Sequence, residues 1–446
     1  MNQENSIIEK VNNWIKNSVS LKLIIITILM LMLLIPTSMI KSIVIEREGL
    51  KELAILEVSS KWAESQQIDG PILTIPLAYE YQKGDEKLSA VKYYHLLPEN
   101  LDITGIIEPE KLRRGIYEIV VYKSNLSISG SFDLTRNIDL SDVTEVQFGK
   151  SFLTIGISDL RGIEDQITMK WGNKNLKVEP GSKISEILYS GITINIPDLE
   201  NYMDSKVEFE FKLNLQGSQN MSFTPLGNTT NVQITSNWPS PSFNGNFLPD
   251  QREVNDDGFS ANWKILQLNR NFPQSWIGGN QASNINKSAF GVNLILPLDD
   301  YQKSMRSSKY AIMTITLTFL IFFLVEIINK RKIHPFQYAL VGLALCLFYI
   351  LLLSISEHST FNFAYIVSAA GVVSMIALYS ISIFKMKKLT LLLVSTLSGI
   401  YGFLFVTLQL ADYALLMGSL GLTLILAATM YLTRKINWYN LNIESR

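Results

Sequence analysis

The sequence predicts an integral membrane protein with six transmembrane α-helices, one N-terminal and five C-terminal. A large β-rich extracytoplasmic domain, an antiparallel sandwich or a two-lobed body, separates the first helix from the second. Two observations carry this. Six apolar runs stand at 23–40, 310–328, 335–355, 361–384, 389–410 and 413–432. The long stretch between the first two is polar, with apolar residues recurring at every second position.

Each run is close to the roughly 20 residues an α-helix needs to cross a hydrocarbon core about 30 Å thick. In lipid the backbone must satisfy its own hydrogen bonds, so runs of this kind are helices. The first has a basic flank but no small-x-small cleavage site, since Pro36-Thr37-Ser38-Met39-Ile40-Lys41 matches one poorly. The single cysteine, Cys346, lies inside the third run, so no lipoprotein thiol is on offer. The first run therefore reads as an uncleaved signal-anchor.

Basic residues set the expected orientation. Lys10, Lys16 and Lys22 precede the first helix. Lys330, Arg331 and Lys332 follow the second, Lys385, Lys387 and Lys388 the fourth, and Arg434 and Lys435 the sixth. The short loops on the other side, 356–360 and 411–412, hold no Lys or Arg. Lys41, Arg306 and Lys309 flank the long domain, where the rule weighs less. Positive charge collects on the cytoplasmic side. The expected order is a cytoplasmic N-terminus at 1–22, the anchor helix at 23–45 and the extracytoplasmic domain at 46–308. The five-helix bundle at 309–433 and a cytoplasmic tail at 434–446 follow.

Within the extracytoplasmic domain, 46–67 has helical spacing at Leu50, Leu53, Ala54, Glu57 and Val58 and reads as a stalk, stopped by Asp69-Gly70-Pro71. Beyond it the period falls to two. Val207, Phe209, Phe211, Leu213 and Leu215 alternate with polar residues. Ile192/Ile194/Ile196, Phe259/Ala261/Trp263/Ile265 and Val292/Leu294/Leu296 repeat the pattern. Residues 117–123 form a denser strand, and Leu126/Ile128 start another. Turn residues at Gly84-Asp85, Pro98-Glu99-Asn100, Pro180-Gly181-Ser182 and Asp256-Asp257-Gly258 punctuate the run. The segment 238–249, with three prolines and three aromatics, reads as an ordered loop and not as a central strand.

Several pieces together resemble the CreD family of bacterial inner-membrane proteins, described as cell envelope integrity proteins. They are Glu46-Arg47-Glu48, Gly70-Pro71-Ile72-Leu73-Thr74-Ile75-Pro76, Ile157-Ser158-Asp159-Leu160-Arg161-Gly162-Ile163 and Trp238-Pro239-Ser240-Pro241-Ser242-Phe243-Asn244-Gly245 with Phe247-Leu248-Pro249. Gly258-Phe259-Ser260-Ala261-Asn262-Trp263, Arg270-Asn271-Phe272-Pro273-Gln274-Ser275-Trp276 and Thr433-Arg434-Lys435-Ile436-Asn437-Trp438-Tyr439 complete the set. The resemblance implies a multi-pass protein of the bacterial inner membrane with a part in envelope stress and integrity. It supplies no catalytic or binding residues.

The residues themselves point away from chemistry. The histidines His95, His334 and His358 are scattered, and with one cysteine they make no metal set. No nucleophile elbow, phosphate loop or dinucleotide fingerprint appears. Asp256-Asp257-Gly258 lacks the ligand spacing of a calcium loop and reads as a hairpin. A net charge of −1 argues against nucleic acid. The helices carry Ser, Thr, Tyr and one Cys near their centres, with Glu326 towards one end. Small-residue pairs such as Gly418/Gly421 read as helix packing. The expectation is a non-enzymatic envelope factor without cofactor or metal, anchored in the bilayer, whose outer domain binds or senses a periplasmic protein or a cell-wall component. A transporter or flippase built on the C-terminal bundle is the alternative. The candidate partner surface comprises Trp238, Phe243, Phe247, Arg270, Phe272 and Trp276, where rigid aromatics stand beside an arginine. The competing use of those rings is to plug the end of a β-sandwich.

The charge asymmetry makes a direct prediction. Cysteines at Ser359 and within 46–308 should react with an impermeant thiol reagent on intact spheroplasts. Cysteines at Lys332 or Lys387 should react only after lysis. Labelling at position 387 in sealed spheroplasts would refute this topology.

Overall fold

In the computed structural model, which describes residues 19–83, 86–135, 143–296, 300–329, 333–410 and 413–434, every apolar run is helical. Lys10, Lys16, Lys330, Arg331, Lys332, Lys435, the turn Gly84-Asp85, the loop residues Ala411 and Asp412, and Ile436 to Tyr439 lie outside the described residues. The chain divides into two units, Met1–Lys51 with Leu298–Arg446, and Glu52–Pro297.

Helices α1 (Val19–Met32) and α2 (Leu34–Trp62) carry the first run. Helix α3 (Ala282–Lys287) is a short element of the β-rich unit, and α4 (Asp300–Lys309) is polar. Then come α5 (Ala311–Ile328), α6 (Pro335–Ser356), α7 (Phe361–Phe384), α8 (Lys387–Gln409) and α9 (Ala414–Thr433). The stretch Leu21–Trp62 and α5 to α8 are long and apolar enough to cross a membrane; the apolar part of α9, Leu416–Tyr431, is shorter. Together α1 and α2 form the one N-terminal apolar helix, Leu21–Trp62, marked by a single turn residue at Leu33. Pro36 has no N–H to give the Met32 carbonyl, but the Leu33 N–H still reaches the Leu29 carbonyl at 3.0 Å and the Thr37 N–H the Leu33 carbonyl at 3.3 Å, so the helical ladder runs on through the turn.

In the membrane unit, Ile26, Leu33 and Ile40 recur every seven residues and are buried, with Val44 beyond them. They join Ile315, Phe319 and Val341 in one hydrophobic cluster. A Cβ on Gly342 would overlap Leu33, so glycine permits that approach. Polar contacts hold the first run at two points. Lys22 pairs with Glu326, which is fully buried. The same carboxylate accepts the Ile333 N–H and the Tyr338 hydroxyl, each at 2.9 Å. Further along, Arg47 pairs with Glu357 at 3.3 Å.

The β-rich unit is a sandwich. One sheet, of eight strands among the described residues, runs in the order Gln251–Asn255, Gly258–Leu266, Thr229–Ser236, Asn100–Arg114, Tyr117–Asp133, Lys206–Ser218, Thr168–Trp171, Lys174–Lys177. The other sheet, of ten strands among the described residues, is centred on Gln66–Lys83, with Phe152–Ile157 on one side and Asn220–Phe223 on the other. Inward residues of both sheets, Phe209, Phe211 and Ile103 from the first and Ile72, Ile155 and Ile194 from the second, belong to one core. That continuity decides for a sandwich over two lobes. In Lys206–Ser218 burial alternates residue by residue, as the period of two requires.

Four local expectations change. Residues 117–133 form a single strand, Tyr117–Asp133, where two were expected, because Asn100–Arg114 pairs with 117–131 on one side and Lys206–Ser218 with 121–133 on the other. Helix α2 ends at Trp62, short of Gln67, because Glu64, Gln66 and Gln67 have hydrogen-bond partners elsewhere in the fold. Asp69-Gly70-Pro71 does not stop a helix; it lies inside the strand Gln66–Lys83, at a register shift. There Gly70 has φ +113°, which a side chain disfavours. Finally, the segment 238–249 contains an edge strand, Pro241–Gly245, paired with Phe290–Leu294. An edge position suits a proline-bearing strand, since one side needs no ladder. Two pairings are also parallel, 66–68 with 221–223 and 100–107 with 229–236.

Stranding one member of the Lys22–Glu326 pair leaves a buried charge uncompensated, at a cost of about 3 kcal/mol or more. Lys22→Ala should therefore lower the thermal stability of the detergent-purified protein, and adding Glu326→Gln should recover part of the loss. A Lys22→Ala protein that melts with the parent would show that the pair is not a structural tie.

Candidate functional site

The six residues expected to form a partner surface pack largely inward. Trp238, Phe272 and Trp276 are buried, and Phe243 and Phe247 are half-buried. The Phe243 ring meets Phe259 at 5.7 Å and Trp263 at 5.8 Å, and Phe247 meets Phe290 at 6.0 Å. Trp238 Nε1 donates to the Ile295 carbonyl at 2.9 Å. Trp238, Phe272 and Trp276 belong to the core of the sandwich and Phe243 and Phe247 pack against it, which limits the area they could offer a partner.

Arg270 has a different task. Its guanidinium stacks 4.2 Å from the Phe272 ring and donates to the carbonyls of Phe272 and Leu226 and to the Gln274 side chain. Gln274 in turn donates to the carbonyls of Leu97 and Pro98 at 3.0 and 2.6 Å. Burial lowers the Arg270 pKa to about 10, so it remains a cation at neutral pH. Its partners among the described residues are neutral acceptors, and through Gln274 it holds the segment 270–276 against Leu97 and Pro98, just ahead of the strand Asn100–Arg114.

The histidines do not converge. His95 is buried, shares a 3.0 Å hydrogen bond with the Thr74 hydroxyl, and lies 5.3 Å from the Trp276 ring. Burial lowers its pKa to about 4, so it is neutral. His334 caps α6 by accepting the Phe336 N–H. Among the described residues no His/Cys/Asp/Glu group has the makings of a metal site. Asp256-Asp257-Gly258 is a hairpin turn, with Asn255 Oδ1 accepting the Asp257 N–H at 3.0 Å and Gly258 at φ +142°.

A candidate site lies on the outward face of the eight-stranded sheet. A cleft of about 700 Å³ opens over Asn100–Arg114, Thr229–Ser236 and Gly258–Leu266, with Asp250 and Gln251 along one side. This volume is in the range of small-molecule sites. Alternation explains its chemistry. Ile103, Val232 and Trp263 point into the core, so their neighbours Asp102, Thr104, Asn231, Gln233, Asn262 and Lys264 point out. Asn231 Nδ2 donates to Asp102 Oδ1 at 2.7 Å, and Asp250 Oδ2 accepts the Lys264 N–H at 2.7 Å. The Asn262 side-chain oxygen is buried and without a hydrogen-bond partner among the described residues. The arrangement offers paired donors and acceptors, and no nucleophile with an adjacent base.

The aromatics named from sequence underlie this cleft without lining it. Trp263 stands between the cleft residues Asn262 and Lys264; its ring meets Phe243 and Phe290, and its Nε1 donates to the Phe247 carbonyl at 3.3 Å. The segment 238–249 thus supports the sheet beneath the cleft and delivers Asp250 and Gln251 to its side. Of the cleft residues, Asn262 and Lys264 fall on the polar side of a strand legible in the sequence, Phe259/Ala261/Trp263/Ile265. The convergence of the cleft residues was not legible there, since 100–107 and 229–236 pair in parallel across more than a hundred residues of chain.

Comparison with known proteins decides the family. The model of the family described as "Inner membrane protein CreD" matches residues 18–439. The chain belongs to the CreD family. It is 34% identical over 414 residues to the inner membrane protein CreD of Escherichia coli (strain K12), covering 92% of this chain and 91% of that one. As a CreD-family member the protein is a multi-pass protein of the inner membrane with an envelope-related role.

Phe243→Ala removes a half-buried ring from beneath the cleft, and should cost about 2 kcal/mol, less than the roughly 3–5 kcal/mol of a fully buried phenylalanine. Thermal unfolding of the purified protein measures this. An unchanged melting temperature would mean that the ring is not structural.

Proposed function

We propose that the protein acts by binding, without catalysis, and that its β-rich unit lies outside the cytoplasm and engages an envelope component at the amide-lined cleft. The helices anchor it, with both termini in the cytoplasm as the basic flanks imply. The observation that carries this reading is the cleft itself, a concave face of amide, hydroxyl and charged side chains on a rigid sheet. Sheet-borne groups are held in place by backbone ladders on both sides, which lowers the ordering cost of binding. Family membership supplies the setting, the inner membrane.

A bulky group in the cleft should separate binding from folding. Gln233 is exposed and central. Gln233→Trp should leave membrane abundance and melting temperature unchanged yet fail to restore envelope-stress resistance to cells lacking the protein. Tyr189→Ala, at a residue 93% exposed and outside the cleft, should restore it fully. Full restoration by Gln233→Trp would overturn the cleft as the working surface.

A further inference from the structure

We infer that the ligand of this cleft is a neutral, hydroxyl-rich chain, that is, a saccharide, an assignment that rests on the binding reading above. The argument begins with register. Thr104 pairs with Gln233, Gln233 with Asn262, and Asn262 with Gln251. These four positions form one row running across four strands. At about 4.8 Å per strand the row is roughly 14 Å long. Every member is an uncharged side chain carrying a hydroxyl or an amide.

Amides and hydroxyls both donate and accept. A ligand matching such a row must present donors and acceptors in close alternation, which the hydroxyls of a sugar chain do. The row is also unspent. Thr104, Gln233 and Gln251 make no side-chain hydrogen bond among the described residues, and the Asn262 oxygen is buried without a partner.

The rest of the cleft narrows the class. The second row, Asp102, Asn231 and Lys264, has an acid and a base at its ends, and Asp250 adds a second acid. Two carboxylates against one ammonium do not suit a polyanion, which requires an excess of basic groups. An extended peptide seeks an unpaired strand edge. The three strands under the cleft have neighbours on both sides, so their backbone groups are taken; the edge strand Gln251–Asn255 borders the cleft, and the peptide arm of the test below addresses it. Their apolar residues Ile103, Val232 and Trp263 are buried beneath, leaving a side chain of a peptide little to grip. Leu266, 43% exposed at the end of the cleft, offers one apolar patch for the C–H face of a sugar ring.

The test uses the full-length protein in lipid nanodiscs, titrated calorimetrically with a β-1,4-linked N-acetylglucosamine tetramer and with maltotetraose. At least one of the two should bind. Gln233→Ala and Gln251→Ala should each weaken binding up to about tenfold, the range of one lost hydrogen bond, with unchanged melting temperatures. Tyr189→Ala should bind like the parent. Binding that survives both cleft variants would place the saccharide elsewhere and overturn the inference. So would binding of heparin or of a neutral extended peptide in place of both sugars. If neither sugar binds while Gln233→Trp still abolishes complementation, the saccharide class is wrong and the cleft stands. If neither sugar binds and Gln233→Trp complements, both readings fall together.

Discussion

The β-rich unit depends on a knot of hydrogen bonds where α2 gives way to the strand Gln66–Lys83. Asp159 Oδ2 accepts the Glu64 N–H at 2.9 Å, just past the end of the helix. Gln66, 1% exposed, donates from its amide to the carbonyls of Asp159 and Gln216, both at 2.9 Å, and accepts the Asp159 N–H. Ser158 Oγ takes the Gln67 N–H at 2.8 Å. Arg161 grips Asp159 with two donors and also reaches the Ser60 carbonyl. Those Arg161 hydrogen bonds hold the Asp159 carboxyl below its ordinary pKa, so the knot keeps its charge at neutral pH. Buried polar groups of this kind are stable only when all are satisfied, which gives the junction a single geometry.

That geometry propagates. With Gln66 placed, the strand Gln66–Lys83 enters the middle of its sheet, and Phe152–Ile157 and Asn220–Phe223 dock on its two sides. The sheet offers an apolar face, and the second sheet lays Phe209, Phe211 and Ile103 against it. Once inward positions are apolar, outward positions on the same strands are free to be polar, and the cleft is the outward side of Asn100–Arg114, Thr229–Ser236 and Gly258–Leu266. Core and binding face are thus two readings of one alternation.

The membrane unit follows a different rule. Lipid supplies no hydrophobic drive between helices, so packing detail and polar ties hold them together. The seam Ile26, Leu33 and Ile40 supplies the packing, and Lys22–Glu326 and Arg47–Glu357 supply the ties. Glu326 is costly in a bilayer, and it is retained with a complete set of partners: an ammonium, a hydroxyl and a backbone N–H.

Composition and periodicity by themselves determined the membrane helices, because length and apolarity alone answer to the bilayer; α7 begins and ends at the residues where its apolar run does. They also determined which strand residues face inward, because a period of two has only two faces. They did not determine what depends on partners distant in sequence. The end of α2 at Trp62 is set by Asp159, ninety-odd residues on, and the passage of Gly70 through a strand by its neighbours in the sheet. The aromatics Phe243 and Trp276 carried the composition of a binding surface, yet their fate was decided by Phe259, Trp263 and His95 brought against them from other strands. The cleft is the clearest case. Thr104, Gln233 and Asn262 are unremarked outward residues in three separate segments, and only a parallel pairing and an antiparallel one place them in a single row.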